Sequence, residues 1–292
     1  MKLILPMPGN ERLASDLAGR PGAELGRLES RRFPDGESYV RLACDVAGRD
    51  VVIICTLAQP DEQFLRLVFA ARAAREVGAA SLTLVAPYLA YMRQDKRFQL
   101  GEAVTSNHFA SLLSKEFDRL VTVDPHLHRH KDLGEIYAIP AVALHATPLL
   151  ADWIKREVER PLIIGPDLES EQWVSDVAGR VGAPSVVLQK QRHGDRSVDI
   201  AIPDLGAWRD YQPVLIDDIV SSGRTMIQAC EGLIAQGLKK PVCVVVHALF
   251  AEDAFARLSG LAQAIVSTDT APHPTNRISI APLIHEALAS AA

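Results

Sequence analysis

Along this chain, short runs of apolar residues alternate with longer segments in which the apolar residues are spaced apart. Several runs are continuously apolar, such as residues 242–246, Val-Cys-Val-Val-Val. Strands of this kind are covered on both faces, as in parallel sheets. Between the runs, apolar residues recur every three or four positions, which predicts amphipathic helices. This alternation of strand and helix predicts an α/β fold with mostly parallel sheets flanked by helices.

The pattern predicts strands at residues 2–6, 24–31, 37–42, 50–55, 81–86, 119–123, 162–164, 185–189, 198–202, 214–216, 242–249 and 264–267. It predicts helices at residues 11–17, 61–77, 105–117, 146–156, 169–180, 224–236 and 281–289. The alternation occurs twice, before and after about residue 145. We therefore predict domains at residues 1–144 and 145–276, with a terminal segment at 277–292 that packs back on the first domain.

Composition narrows the class of protein. The chain has 292 residues, 48% of them hydrophobic, and a formal net charge of −5, which is typical of a soluble protein without a basic surface for nucleic acid. The apolar runs are too short to span a membrane, and the first residues lack the length of a secretory signal. The four cysteines are scattered, which favours buried free thiols. We expect a cytoplasmic protein.

The most informative segment is residues 213–226. An apolar strand leads to Asp217 and Asp218, a small polar loop follows, and a helical pattern begins after it. Such a loop directs backbone N–H groups to one point at the positive end of a helix, which favours a phosphate. The acids suit sugar hydroxyls or a phosphate-bound Mg²⁺. The alternative is a plain capped turn, because serine also caps helices well.

Two charged islands interrupt the apolar pattern of the first half, at residues 32–37 and 87–97. The second follows a predicted strand and combines two tyrosines with residues 93–97, Arg-Gln-Asp-Lys-Arg. Loops at the carboxyl ends of strands hold ligands in α/β sheets. Cations beside aromatic rings suit a nucleotide with a polyphosphate. Taken alone, the second island is more typical of a solvated loop than of a ligand site.

Taken together, these motifs resemble ribose-phosphate pyrophosphokinases. The sequence FPDGE at residues 33–37, PYLAYMRQDK at 87–96, VDPH at 123–126, GPD at 165–167, KQR at 190–192 and IDDIVSSGRT at 216–225 follow the order of that family. FPDGE and RQDK are its most specific motifs, and the loop that contains Ser221 resembles the corresponding loop of the archaeal-type branch. The resemblance implies two type I phosphoribosyltransferase-type domains, each a mostly parallel sheet flanked by helices.

The resemblance also implies a reaction. Family members transfer the β,γ-diphosphate of ATP to the C1 hydroxyl of ribose 5-phosphate, using Mg²⁺ and releasing AMP, and so supply nucleotide biosynthesis. The implied ATP-site residues are Phe33, Asp35, Gly36, Glu37, Arg93, Gln94, Asp95, Lys96 and His126, with the adenine held by a neighbouring subunit. The implied ribose 5-phosphate residues are Asp217, Asp218, Ser221, Ser222, Gly223, Arg224 and Thr225. His126 and Asp167 would help position the metal.

Lys190 and Arg192 are the implied catalytic cations, on a flexible loop that continues into a polar lid at residues 193–197. From spacing alone, the favoured interpretation of the same residues is a hairpin tip between two strands with exposed charges. The resemblance implies a homodimer or higher homo-oligomer, whose substrates are ATP and ribose 5-phosphate. Arg224, Glu169 and Glu171 depart from the usual family pattern, and acids in a first helical turn are also favoured for their own sake.

Three alternatives stay open from the sequence. The segment His126-Leu-His-Arg-His130 has histidines that bind zinc in other proteins, but it follows Asp124-Pro125 and has no cysteine nearby. A phosphoribosyltransferase would keep the acidic loop but has no use for FPDGE or RQDK. A catalytically silent paralogue that regulates an active partner is disfavoured by His126 and Asp167, and by the two cations at 190 and 192.

Overall fold

The computed structural model describes residues 1–127, 129–193 and 197–290, and for residues 169, 172 and 190–201 the description is limited to the backbone. The chain forms two compact units. The first comprises residues 1–145 and the final helix that begins at Ala281, and the second comprises residues 146–280. Each is built on a parallel six-stranded sheet, which confirms the predicted α/β fold. Across the described ranges, every helix is too short or too polar to cross a bilayer.

The first unit begins with a strand and a helix and then alternates between the two. Six of its strands form one parallel sheet, and the other two pair as a separate antiparallel hairpin. The strands are β1 (Lys2–Pro6), β2 (Ala23–Leu25), β3 (Leu28–Arg32), β4 (Ser38–Leu42), β5 (Asp50–Ile54), β6 (Ser81–Ala86), β7 (Arg119–Val123) and β8 (Ala141–Leu144). The helices are α1 (Glu11–Ala18), α2 (Pro60–Glu76) and α3 (Thr105–Glu116). The sheet order is β2-β1-β5-β6-β7-β8.

The second unit repeats this plan. Its helices are α4 (Thr147–Glu157), α5 (Glu171–Val181), α6 (Arg224–Ala235) and α7 (Ala254–Leu261). Its strands are β9 (Pro161–Gly165), β10 (Ser185–Val187), β11 (Gln189–His193), β12 (Ser197–Ala201), β13 (Gln212–Val220), β14 (Val242–Ala248), β15 (Ala264–Thr268) and β16 (Asn276–Ile278). The sheet order is β10-β9-β13-β14-β15-β16, and β11 and β12 form the hairpin. Helix α8 (Ala281–Ala289) closes the chain and packs against α1 and β8 of the first unit.

Burial explains why the central strands are so apolar. All seven residues of β14 are buried, because β14 lies inside its sheet with side chains covered on both faces. His247 is buried within this strand, and its Nδ1 lies 2.9 Å from Thr270 Oγ1. A buried imidazole needs such a partner, because an unpaired polar group in a core is costly.

Some predicted elements were wrong. The strand predicted at 24–31 is two strands, because the chain leaves the main sheet at Gly26. A Cβ on Gly26 would lie 2.5 Å from Leu5 Cδ2, so only glycine allows this close approach. The strand predicted at 185–189 likewise ends at Val187. The short elements β8, β11 and α7 were not predicted, because four to eight residues carry little periodic signal.

The cysteines behave as core residues. All four have free thiols, and Cys55, Cys230 and Cys243 are buried while Cys44 is partly exposed. Burial raises the pKa of the Cys55 thiol to about 12. Its reactive thiolate form is therefore scarce at neutral pH.

Candidate functional site

The loop between β13 and α6 is shaped by its backbone. Gly223 has φ 66°, in the left-handed region, and a Cβ there would lie 3.3 Å from Ala254 Cβ. The loop is fixed to the segment after β14, since Ala251 N–H donates to Ser221 O at 3.0 Å. Leu249 and Phe250 N–H both donate to Val220 O, each at 3.0 Å. Glycine is therefore required at the turn, and the loop is held by backbone bonds on the side of β14.

This loop leads into the N-terminus of helix α6, and its residues are suited to binding an anion. The first N–H groups of a helix have no partner within the helix, and its N-terminus carries a partial positive charge. Arg224 and Ser222 are exposed, and Ser221 and Thr225 are half-buried. Three hydroxyls, a guanidinium and several backbone donors thus lie together at residues 221–225. This set suits a phosphate monoester.

The equivalent turn of the first unit has the opposite charge. Helix α2 has a proline in its first turn, together with the acids Asp61 and Glu62. Acids in a first turn interact favourably with the helix dipole and repel an added anion. The Asp61 carboxylate also accepts a hydrogen bond from the Tyr91 hydroxyl. Of the two equivalent turns, the one at α6 is therefore suited to an anion.

Three carboxylates lie near the carboxyl ends of β9 and β13. These strands are parallel neighbours, with Ile164 paired to Leu215, so Asp167 and the Asp217–Asp218 pair come to the same sheet edge. Both Asp217 and Asp218 lie in β13 itself, which extends further than the strand predicted at 214–216. Their half-buried side chains precede the 221–225 loop by only a few residues.

Burial raises the pKa of the Asp217 carboxyl well above its usual range, and the carboxylates of Asp218 and Asp167 raise it further. The Asp218 N–H donates to Asp217 Oδ1 at 3.0 Å, which partly opposes the rise. The cluster therefore carries electrostatic repulsion that a cation or sugar hydroxyl donors would relieve. Raised carboxyl pKa values of this kind are typical of functional sites.

The turn that carries Asp167 depends on Gly165, the first residue of the GPD motif. A Cβ on Gly165 would lie 2.3 Å from Ser170 Oγ and 2.6 Å from Val174 Cγ2. The Ser170 hydroxyl in turn donates to Asp167 O at 2.6 Å. Close packing of α5 on the end of β9 thus sets the backbone position of Asp167. Glu171 is exposed at the start of α5, and the Glu169 side chain lies outside the described part of the chain.

Lys190 and Arg192 lie on β11, which pairs with β12 in an antiparallel hairpin. The loop expected at these two positions was wrong, since both lie in a regular strand. They are two positions apart, and alternate residues of a strand share a face. Their side chains, and the lid residues 194–196, lie outside the described residues.

In the first unit, two loops meet at the ends of β6 and β7. These strands are parallel neighbours, with Ala86 paired to Thr122. The loop after β6 carries residues 93–96, and the segment after β7 carries His126. The Arg129 guanidinium of the second segment donates to Asp95 Oδ1 at 2.5 Å, which joins the two loops. No local sequence signal singled out Arg129.

Exposure differs among the residues predicted for the ATP site. Arg93 and Lys96 are exposed, and Gln94 and His126 are partly buried. The Lys96 ammonium lies 4.7 Å from the centre of the Phe98 ring. Arg93 and Lys96 are therefore accessible to an anionic ligand.

The FPDGE segment forms the tip of the β3–β4 hairpin. Phe33 N–H donates to Glu37 O at 2.8 Å, and Gly36 has φ 94°, so the tip is a tight turn. The Arg31 guanidinium carbon lies 4.5 Å from the Phe33 ring centre and 4.7 Å from that of Tyr39. All five tip residues are exposed. Arg31 and Tyr39 therefore brace an exposed phenylalanine, a role that the sequence alone did not reveal.

Of the histidines after β7, the structure describes His126 and His130, and neither belongs to a group of side chains that could hold zinc. His130 Nδ1 lies 3.1 Å from Glu135 Oε2, and His128 lies outside the described residues. Among the side chains that the structure describes, no three His, Cys, Asp or Glu are grouped to hold a metal ion by themselves. A metal bound here would take most of its ligands from a substrate or water, as Mg²⁺ usually does.

Comparison with known proteins identifies the family of this chain. A family model described as the N-terminal domain of ribose phosphate pyrophosphokinase matches residues 2–116, and a phosphoribosyl transferase domain model matches residues 132–259. A ribose-phosphate pyrophosphokinase of Methanopyrus kandleri is 34% identical over 98% of both chains. The chain belongs to the ribose-phosphate pyrophosphokinase family. The family predicted from the motifs is therefore confirmed.

Further relatives agree with this membership. A ribose-phosphate pyrophosphokinase of Sulfolobus acidocaldarius is 32% identical over 93% of this chain and 92% of its own. Both relatives are archaeal, in keeping with the similarity of Ser221 to that branch. The crystal structure of a phosphoribosylpyrophosphate synthetase from Mycobacterium smegmatis superposes with a TM-score of 0.86 and covers 99% of this chain and 98% of its own. At 23% identity, that similarity supports the fold.

Proposed function

We propose that this protein transfers the β,γ-diphosphate of ATP to the C1 hydroxyl of ribose 5-phosphate, giving phosphoribosyl pyrophosphate and AMP. The observation that carries the proposal is the acidic strand end of β13 followed directly by the anion-binding turn at residues 221–225. One short segment thus contains carboxylates that accept hydrogen bonds from hydroxyls, and N–H and O–H groups that donate hydrogen bonds to a phosphate. Family membership supports the same reaction and a place in nucleotide biosynthesis.

Ribose 5-phosphate has two parts that this segment recognises separately. Residues 221–225 bind the 5-phosphate through hydroxyls, Arg224 and the first backbone N–H groups of α6. Asp217 and Asp218 accept hydrogen bonds from the ribose hydroxyls. Charge-assisted bonds of this type are about twice as strong as neutral ones. The two acids therefore orient the sugar while the turn anchors its phosphate.

ATP binds through the loops of the first unit. Arg93 and Lys96 neutralise phosphate oxygens, and Gln94 and His126 flank them. Phe33, Asp35, Gly36 and Glu37 hold the adenine, with Phe33 stacking on the base. The exposure of the braced Phe33 ring supports this role, since an aromatic ring with a fixed orientation loses little entropy when it stacks.

Mg²⁺ fits the acidic end of the second sheet. Asp167, Asp217 and Asp218 would offer some of its hard oxygen donors, with phosphate oxygens and water as the rest, and their mutual repulsion raises the Asp217 pKa beyond the effect of burial. We propose that Asp167 would help hold the metal together with phosphate oxygens, and His126 keeps the metal-positioning role that the family resemblance implies. When bound, Mg²⁺ supplies neutralisation of the charge on the transferred diphosphate.

The chemistry needs alignment and charge neutralisation rather than a covalent intermediate. Asp217 and Asp218 hold the ribose hydroxyls and so orient the C1 oxygen. Lys190 and Arg192 stabilise the charge that builds on the diphosphate and on the departing AMP. One well-placed donor of this kind contributes on the order of 10²–10³ in rate.

One assay separates this function from its two competitors. The purified protein is incubated with ATP, Mg²⁺ and ribose 5-phosphate, and AMP is measured by chromatography. We expect AMP that requires both the sugar phosphate and Mg²⁺, and its loss with EDTA. Diphosphate release from phosphoribosyl pyrophosphate and a base would instead indicate a phosphoribosyltransferase. Activity in neither assay would indicate a silent regulatory paralogue.

We also propose that the active assembly is a homodimer or larger, in which the hairpin tip of one subunit serves the site of its neighbour. Mixing two inactive variants, Phe33→Ala and Asp217→Asn, then restores activity, because a mixed dimer contains one site with both parts intact. For random pairing of a symmetric dimer, about a quarter of the wild-type rate is expected. If mixtures whose subunits have been exchanged or refolded together stay inactive, the hairpin tip and Asp217 of one site belong to the same subunit.

A further inference from the structure

The Arg129–Asp95 ion pair joins the two loops proposed to bind ATP phosphates. Arg129 Nη1 lies 2.5 Å from Asp95 Oδ1, and the Asp95 side chain is only 4% exposed, whereas that of Arg129 is 48% exposed. The loop of Asp95 is also bound to the start of α3, where Ser106 N–H donates to Gln94 O at 3.3 Å. The ion pair is a side-chain link from this loop to the segment that carries His126.

The Arg129–Asp95 ion pair also neutralises the charge of Asp95. Asp95 is an acid between two exposed cations, Arg93 and Lys96. A carboxylate that is nearly buried needs a partner, because an unpaired buried charge is strongly unfavourable. Arg129 supplies that partner from the other loop. Without it, Asp95 would compete with the phosphates of a nucleotide for Arg93 or Lys96.

We infer that Arg129 is a positioning residue for the ATP site, and that Asp95 acts through Arg129 rather than by touching the nucleotide. The pair holds the 93–96 loop against the His126 segment and leaves Arg93 and Lys96 directed to the ligand. This inference rests on the proposed function, because it assigns a role within that ATP site. It changes the role that the resemblance implied for Asp95, which was direct contact with ATP.

The two partners differ in what their removal leaves behind, and this difference makes the inference testable. Arg129→Gln leaves a nearly buried carboxylate without its cation, whereas Asp95→Asn leaves a half-exposed guanidinium that water can solvate. We expect Arg129→Gln to weaken MgATP binding and raise its KM about tenfold, and Asp95→Asn to do so about threefold or less. The double variant should lie nearer to Asp95→Asn, because it no longer has the stranded charge.

The measurement is a calorimetric titration with MgATP in the absence of ribose 5-phosphate, with KM, kcat and the melting temperature beside it. Arg129→Lys keeps the charge and should bind within about threefold of the wild type. Arg72→Gln is the matched control, because Arg72 pairs with the mostly buried Glu116, whose side chain is 11% exposed. That pair lies at the end of α3 that precedes β7, at the opposite edge of the sheet, so MgATP affinity should not change.

A direct nucleotide contact by Asp95 predicts a different order of effects. In that case Asp95→Asn is as harmful as Arg129→Gln or worse, and the double variant gains nothing; either result overturns the inference. So does an equal loss of MgATP affinity in Arg72→Gln, which would indicate general destabilisation. If the wild type binds MgATP but forms no AMP with ribose 5-phosphate, the proposed function falls while the order of the variants still tests the pair.

Discussion

Asp217→Asn is expected to lower kcat/KM for ribose 5-phosphate about a hundredfold while making the protein more stable. The amide keeps the shape of the carboxylate but loses the negative charge that strengthens its bonds to ribose hydroxyls. A residue retained for packing alone would change activity and stability in the same direction. The test measures initial rates against ribose 5-phosphate and thermal unfolding of the same samples.

The stability gain follows from the charges around Asp217. Its pKa is raised by burial, by Asp218 and by Asp167, so the ionised form is disfavoured in the folded protein relative to the unfolded chain. A group whose folded pKa is raised stabilises the fold below its unfolded pKa, about 3.9 for Asp, and loses that contribution as pH rises through the folded pKa. Removing the charge should therefore raise the melting temperature by about 2–4 °C at neutral pH.

The stability gained by Asp217→Asn should depend on pH. The difference in melting temperature between Asp217→Asn and the wild type should be close to zero near the unfolded pKa and should grow as the pH rises toward the folded pKa. Asp210→Asn, at an exposed acid of the same unit, is the control and should change neither activity nor this difference. A variant that loses both activity and stability at neutral pH would mean that Asp217 is a structural residue.

Gly223→Ala is expected to reduce kcat/KM for ribose 5-phosphate by about one hundredfold, since displacing a catalytic loop by about 1 Å can have that effect. Alanine disfavours φ 66°, and its Cβ would lie 3.3 Å from Ala254 Cβ. The left-handed conformation costs an alanine about 1–2 kcal/mol. The loop must therefore shift or strain, and the N–H groups proposed to bind the phosphate move with it.

Gly237 provides a matched control at the other end of the same helix. Its φ is 80°, so Gly237→Ala carries a similar backbone penalty, but a Cβ there has no atom within 4 Å. We expect Gly237→Ala to lower the melting temperature as Gly223→Ala does while leaving the kinetics for ribose 5-phosphate unchanged. Equal kinetic losses in the two variants would show that strain in α6, rather than the geometry of the turn, affects activity.

The parts of the fold that follow local rules could be predicted from the sequence. The continuous apolar run of β14 predicts a strand covered on both faces, and the Ser-Ser-Gly segment before a helical pattern predicts the turn at 221–225. Each of these signals lies within a few residues. The same reasoning placed Asp217 and Asp218 beside that turn.

Other features depend on contacts between residues that are distant in the sequence. Nothing near Gly26 reveals that Leu3 and Leu5 will occupy the space of its missing side chain. The Arg129–Asp95 pair joins residues 34 positions apart, and register across β6 and β7 brings them together. Arg31 and Tyr39 face each other only because the hairpin pairs in that register. These residues could not be predicted from local patterns.

The central claim is the transfer of a diphosphate rather than a single phosphoryl group, and ³¹P NMR tests it most directly. In a mixture of the protein, Mg²⁺, ATP and ribose 5-phosphate, we predict that the β and γ signals of ATP disappear together. AMP and a diphosphate esterified to the sugar should appear in equal amounts. Formation of ADP with a singly phosphorylated C1 position, or loss of ATP that does not depend on the sugar phosphate, would contradict the account.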